Sequence, residues 1–247
     1  MAKAFASAGD MSAKKISFTE VGRDLYAFTA EGDPNTGVII GDDSVMVVDA
    51  QATPVMAKQV VERIRSVTDK PIKYVVLSHY HAVRVLGASG YGAEQILSSE
   101  KCQAMIHERG QEDWDSEFGR FPRLFQAADS IPGLTWPTMT FERKMTVHMG
   151  KRRVELMHLG RAHTAGDIVA YVPDAGVIFN DIAGKHHACV RHISDDIACR
   201  MGAAQMHQLN PPLAHVNGHF SLECHGRPGQ ARNGIRRLKQ PRETAKF

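Results

Sequence analysis

Apolar residues recur at two spacings along this chain, and the spacing marks its elements. Residues 16–20 and 24–30, the second reading DLYAFTA, have strand character, and Pro and Gly turn the chain in EGDPNTG after them. Gly37–Ile40 and Val45–Val48 are apolar and β-branched on either side of GDDS. That pattern predicts a hairpin, with Asp49 directly after its second strand. Thr53 stands where a helix cap belongs, Pro54 suits the first turn, and Met56, Val60, Val61 and Ile64 form one apolar stripe through Arg65. Ile72–Leu77 is then a buried strand. Strand, helix, strand in this order predicts layered α/β architecture rather than a helix bundle.

Further on, Gln95–Leu97 reads as a strand and Glu100–Arg109 as a helix. The next segment, GQEDWDSEFGRFPRLFQAADSIPGLTW, is rich in aromatics, Pro and Gly, and reads as a long, partly helical insertion. Trp114, Phe118, Phe121, Phe125 and Trp136 within or at the end of it could wall a pocket or simply pack. Strands resume at Met139–Phe141, Met145–His148 and Arg153–His158. Ile168–Val172 and Gly176–Phe179 predict a second hairpin around PDAG.

Beyond Asp181 the periodicity weakens, although Ile197–Leu209 could be helical. Seven of the 13 histidines follow residue 182, and that tail carries ten Lys/Arg against four Asp/Glu, a net of about +6. With +3 over the whole chain, the first 182 residues carry about −3. The expected division is a flexible start at 1–15, a domain at 16–182, and a basic, His-rich part at 183–247. That last part either completes the same domain or is a solvated end; its abrupt change in composition also resembles a changed reading frame. A basic tail can bind polyanions, but a solvated face is the plainer reading, and a nucleic-acid partner is not expected.

Composition narrows the class. A hydrophobic share of 43% and a charged share of 23% fit a soluble globular protein. No apolar run is long enough to span a bilayer, and MAKAFASAGDMSAKK lacks a signal-peptide core, so a cytoplasmic protein without a membrane partner is expected. Four cysteines are too few to staple a scaffold of this size, and reduced thiols are expected. There is no Walker lysine loop, no G-x-G-x-x-G segment and no nucleophile elbow around Ser78.

The chemistry lies at strand ends. His79 and His81 leave one strand in LSHYH, and His163 leaves another in HLGRAHTAGD. Asp181 closes a third in VIFND, and Asp49 a fourth in MVVDA. A lone histidine beside a strand is usually a hydrogen-bonded core or surface group. Three imidazoles and a carboxylate at converging strand ends are instead a ligand set for one zinc or another first-row ion such as iron. Asp49 could orient a ligand from behind, through its ring nitrogen or nearby backbone.

These residues, in this order over about 16–181, resemble the metallo-β-lactamase-fold hydrolase superfamily. NTGVIIGDDSVMVVDA is similar to its opening hairpin, SHYHAVR to its T/S-H-x-H-x-D-H motif, HLGRAHTAGD to the segment carrying the next metal histidine, and FNDIAG to the strand before the bridging aspartate, with Asn180 in place of glycine. The resemblance implies an αββα sandwich with a metal site on one edge. It implies His79, His81, His163 and Asp181 as ligands, and hydrolysis of an ester, thioester, lactone, lactam or phosphoester by a metal-activated water. Val83 and Arg84 replace the Asp and His that bind a second ion. Valine has no lone pair and arginine is cationic, so a single ion is expected. Arg84 could grip the anionic part of a small-molecule substrate, or pair with Asp181 or another acid. Asp181 could also act as the base that orients the water. The final family histidine has only a loose counterpart in His219. If the second half-sandwich is incomplete, an exposed sheet edge would favour homo-oligomers. The competing expectation is a non-catalytic, degenerate member of the fold.

Overall fold

The structure is a computed structural model, and it describes residues 6–30, 34–180 and 190–192. Among the described residues, two sheets account for the strands. The first joins β1 (Ile16–Gly22), β2 (Leu25–Ala30), β3 (Thr36–Ile40), β4 (Val45–Val48), β5 (Ile72–Val76), β6 (Gln95–Ser99) and β7 (Met139–Phe141), paired in chain order. Pairing is antiparallel from β1 to β4 and parallel from β4 to β7. Parallel neighbours need a crossover, and three α-helices among the described residues supply them: α1 (Pro54–Arg65), α2 (Ala82–Val85) and α3 (Glu100–Arg120). The second sheet runs β12 (Val190–His192), β11 (Val177–Phe179), β10 (Val169–Val172), β9 (Arg152–Met157) and β8 (Lys144–Met149), antiparallel throughout.

The strand period of two builds two cores from one sheet. Val38, Ile40, Val45, Val47 and Val75 face the helices, where Met56, Val60 and Ile64 of α1 meet them. Ile39, Met46, Val48 and Val76 face the other way, against Val154, Leu156, Ala170, Val172 and Phe179 of the second sheet. β3 and β4 are therefore buried on both faces, which explains their continuous apolar runs. Gly37 lies where a Cβ would overlap the Phe179 ring, so its missing side chain lets the sheets close. At one point between the sheets, the buried Arg152 guanidinium donates to Ile40 O at 2.8 Å and Arg23 O at 3.0 Å. It also pairs with Asp174 at 3.0 Å. The described residues thus supply a helical layer and both sheets of the expected layered α/β fold.

Most predicted elements are present within a residue or two. α1 spans Pro54–Arg65, and the Thr53 hydroxyl accepts the Met56 N–H at 3.2 Å. The clear difference is α3, which continues eleven residues past Arg109 and absorbs the first part of the predicted insertion. Gly110 is the reason the pattern stopped early. It is buried, and a Cβ there would stand 3.3 Å from Leu134, so a packing requirement set the glycine. β12 was not anticipated, and Ile197–Leu209 lies outside the described residues.

Candidate metal centre

Parallel strands end on one edge of a sheet, and here that edge gathers polar groups. β4 ends at Asp49 and β5 leads through Leu77 and Ser78 into His79–Tyr80–His81. Ser78 ties three loops together. Its N–H donates to Asp49 Oδ1 at 2.9 Å, its carbonyl accepts the Ile168 N–H at 2.9 Å, and its hydroxyl meets His79 Nδ1 at 2.9 Å. Through Ile168, the loop bearing His163 is fastened to the loop bearing His79.

That second loop is shaped by its own residues. Asp167 accepts from both the backbone N–H and the hydroxyl of Thr164, each at 2.7 Å. His158 Nδ1 donates to Asp167 O at 2.8 Å, closing the loop at its base. Gly160 sits at φ 109°, a conformation side chains resist. These contacts account for the wording of HLGRAHTAGD and leave His163 on the loop's exposed part.

The outcome is a cluster of three imidazoles. Ligand atoms of His79, His81 and His163 lie within 4.8 Å of one another. Ring centroids are 4.8 to 5.1 Å apart and every pair meets edge to face. His163 Nε2 and His81 Nδ1 are 3.3 Å apart. Since Ser78 occupies His79 Nδ1, the inward nitrogens are His79 Nε2, His81 Nδ1 and His163 Nε2. His79 is 1% exposed. Burial first, then the Arg84 charge and the neighbouring imidazoles, holds its pKa well below the ordinary value, which favours the neutral ring. A first-row ion binds the neutral form of a histidine ring. The donor set fits a metal ion.

Arg84 and Asp49 stand behind this cluster. Arg84 Nη1 donates to Asp49 Oδ2 and to Asn35 O, both at 3.2 Å. Asp49 and Gln51 hold φ of 69° and 68°, unusual for residues with side chains. The strained turn is clamped: Gln51 Nε2 donates to Pro34 O at 2.9 Å and to Thr36 Oγ1 at 2.8 Å, and Gly87 N–H donates to Gln51 O at 2.9 Å. Val83 packs against the helix-side core. Asp181, the fourth expected ligand, lies outside the described residues, as does His219.

Of the suggested aromatic wall, Phe125 is buried, Trp114 and Phe121 pack on the helix-side core, and Phe118 and Trp136 are exposed. Cys102 is buried with its thiol pushed up to about 12 by burial, so it stays a protonated packing group. Asp113 on α3 escaped the sequence reading. It accepts the Ala82 N–H at 2.7 Å and lies 3.8 Å from His81 Nε2. Within QEDWDSE it reads as part of a solvated acidic face, and only the packing of α3 on α2 distinguishes it.

Comparison with known proteins places these features. Residues 29–179 match the family described as the metallo-beta-lactamase superfamily. Among solved structures, a metallo-beta-lactamase from Pontibacter korlensis is similar at 16% identity and a TM-score of 0.56, over 80% of this chain and 87% of that one. The DIM-1 metallo-beta-lactamase is similar at 14% identity and a TM-score of 0.54, over 79% and 84%. The stereoselective inverting sec-alkylsulfatase Pisa1 from Pseudomonas sp. is similar at 18% identity and a TM-score of 0.51, over 64% of this chain but 30% of that one. At these identities the structural likeness establishes the fold alone.

Proposed function

The chain belongs to the metallo-beta-lactamase superfamily, whose members are generally metal-dependent hydrolases of small molecules, and from that premise we propose a single-metal hydrolase. Its substrate class is an ester, thioester, lactone, lactam or phosphoester. The observation that carries this reading is the His79, His81 and His163 cluster, with Val83 and Arg84 where the family places second-metal ligands. Zinc suits three imidazoles best, and iron is the alternative. When bound, the ion supplies Lewis-acid activation of water and of the bond to be cleaved.

The chain's own residues do the rest. His79, held by Ser78 and kept neutral by burial, and the more exposed His81 and His163 would hold the ion. Asp49 would hold the His79 loop in place through the Ser78 N–H. Arg84 is a fixed positive charge near enough to His79 to lower its pKa. Its ion pair with Asp49 makes it first a support of the turn after β4, and a grip on the anionic part of a substrate is its alternative role. Asp181 would complete the ligand set or take the water's proton, a role assigned from its position after β11.

Replacement of the second-metal ligands equally favours a second reading, a scaffold of this fold that no longer turns over. Elemental analysis of the wild type and of His79→Ala/His81→Ala separates the two. About one zinc or iron per wild-type chain, lost in the variant and accompanied by hydrolysis of model esters or lactams, supports the enzyme. A folded wild type that binds no ion when supplied with zinc or iron rules out the proposed mechanism. One ion without turnover favours the scaffold.

A further inference from the structure

Asp113 touches His81 from the side away from the cluster. The 21-residue helix α3 carries it to the start of α2, where His81 is the residue before the first helical turn. One carboxylate oxygen accepts the Ala82 N–H at 2.7 Å, satisfying a backbone donor at the start of α2. The other faces His81 Nε2 at 3.8 Å, with the Asp113 side chain 13% exposed and that of His81 23%. His81 Nδ1 points the opposite way, 3.3 Å from His163 Nε2. The ring is thus bracketed, with a carboxylate on its outer nitrogen and the imidazole cluster on its inner one.

An ionised carboxylate only accepts hydrogen bonds. Its presence therefore favours the His81 tautomer protonated on Nε2, which leaves the Nδ1 lone pair facing the cluster. At 3.8 Å the contact is electrostatic or bridged by water rather than a direct hydrogen bond. It persists because the Ala82 anchor fixes the carboxylate. The other acid on this face of α3, Glu117, is paired with Arg120 at 3.1 Å and has its pKa raised by burial and by the Asp113 charge. Asp113 is then the α3 anion that addresses His81.

We infer that Asp113 is a positioning residue that sets the tautomer and orientation of His81 for metal binding through Nδ1. This rests on the metal-centre reading above. Such outer partners typically change metal affinity about 10- to 100-fold. In Asp113→Asn the amide oxygen can still accept the Ala82 N–H, but the charge is gone and the amide adds a donor.

Two measurements on the full-length chain test it. Ring ¹⁵N shifts of the metal-free protein at pH 8 should show His81 protonated on Nε2 in the wild type, with the Nδ1–H form rising in Asp113→Asn. Chelator competition should show Co²⁺ bound about 10-fold or more weakly by Asp113→Asn, while its thermal midpoint stays near wild type. Wild-type affinity retained by Asp113→Asn overturns this inference alone. Failure of the wild type to bind Co²⁺ overturns the metal-centre reading and this inference with it. Should Asp113→Asn not fold, the wild-type spectrum decides, since an Nδ1–H His81 overturns the inference unaided.

Discussion

Arg84 meets Asp49 at 3.2 Å with side chains 13% and 1% exposed, and this pair carries much of the local electrostatics. A buried ion pair adds little net stability, but removing one partner leaves the other as a desolvated charge. Arg84→Met is therefore expected to destabilise the fold by about 3–5 kcal/mol, read from urea unfolding. A loss within about 0.5 kcal/mol would mean that Asp49 is solvated or otherwise neutralised. His79 imposes a pH dependence of known sign. Its folded pKa lies well below the ordinary 6.5, so the unfolded chain takes the proton first as pH falls. Stability of the metal-free protein should be complete above about pH 6.5 and fall below it, by up to about 1.4 kcal/mol per pH unit. His79→Asn should flatten that slope in urea titrations at successive pH values, and an unchanged slope would assign it to other groups.

The elements near the site are positioned by caps and close backbone contacts. Thr53 ends the strained turn after Asp49 and starts α1, and Thr53→Ala should cost about 1 kcal/mol in chemical denaturation. An effect near zero would show the cap to be replaceable by solvent. Gly87, after α2, has no room for a Cβ because the Ala50 carbonyl occupies the space, and its N–H binds Gln51 O. These short-range features were legible: the Thr53–Pro54 start, both hairpins and the ends of β4 and β5 follow from turn chemistry and period. The extent of α3 was not, because Gly110 reads as an interruption until Leu134 is seen against it. Asp113 was illegible for the same reason, since its partner at Ala82 is 31 residues away.

Across the whole molecule, the two sheets meet where Gly37 of β3 faces the fully buried Phe179 of β11. Gly37→Ala should cost about 1–3 kcal/mol by overpacking, and Gly37→Ala/Phe179→Leu should recover part of it. Additive losses in the double variant would show that the two positions are not coupled. The same closure brings the loop after β9 to the loop after β5, through Ile168 N–H and Ser78 O. By itself the sequence determined the layered α/β class, the strand ends and the identity of the three imidazoles, because periodicity, turns and ordered motifs are local properties of the chain. Tertiary structure set the distances at which His163 meets His79 and His81, and it alone decided that Arg84 is held by Asp49 and that Asp113 stands behind His81. Each of those contacts joins residues 32 or more positions apart, and packing between layers, which no local pattern encodes, sets their distance.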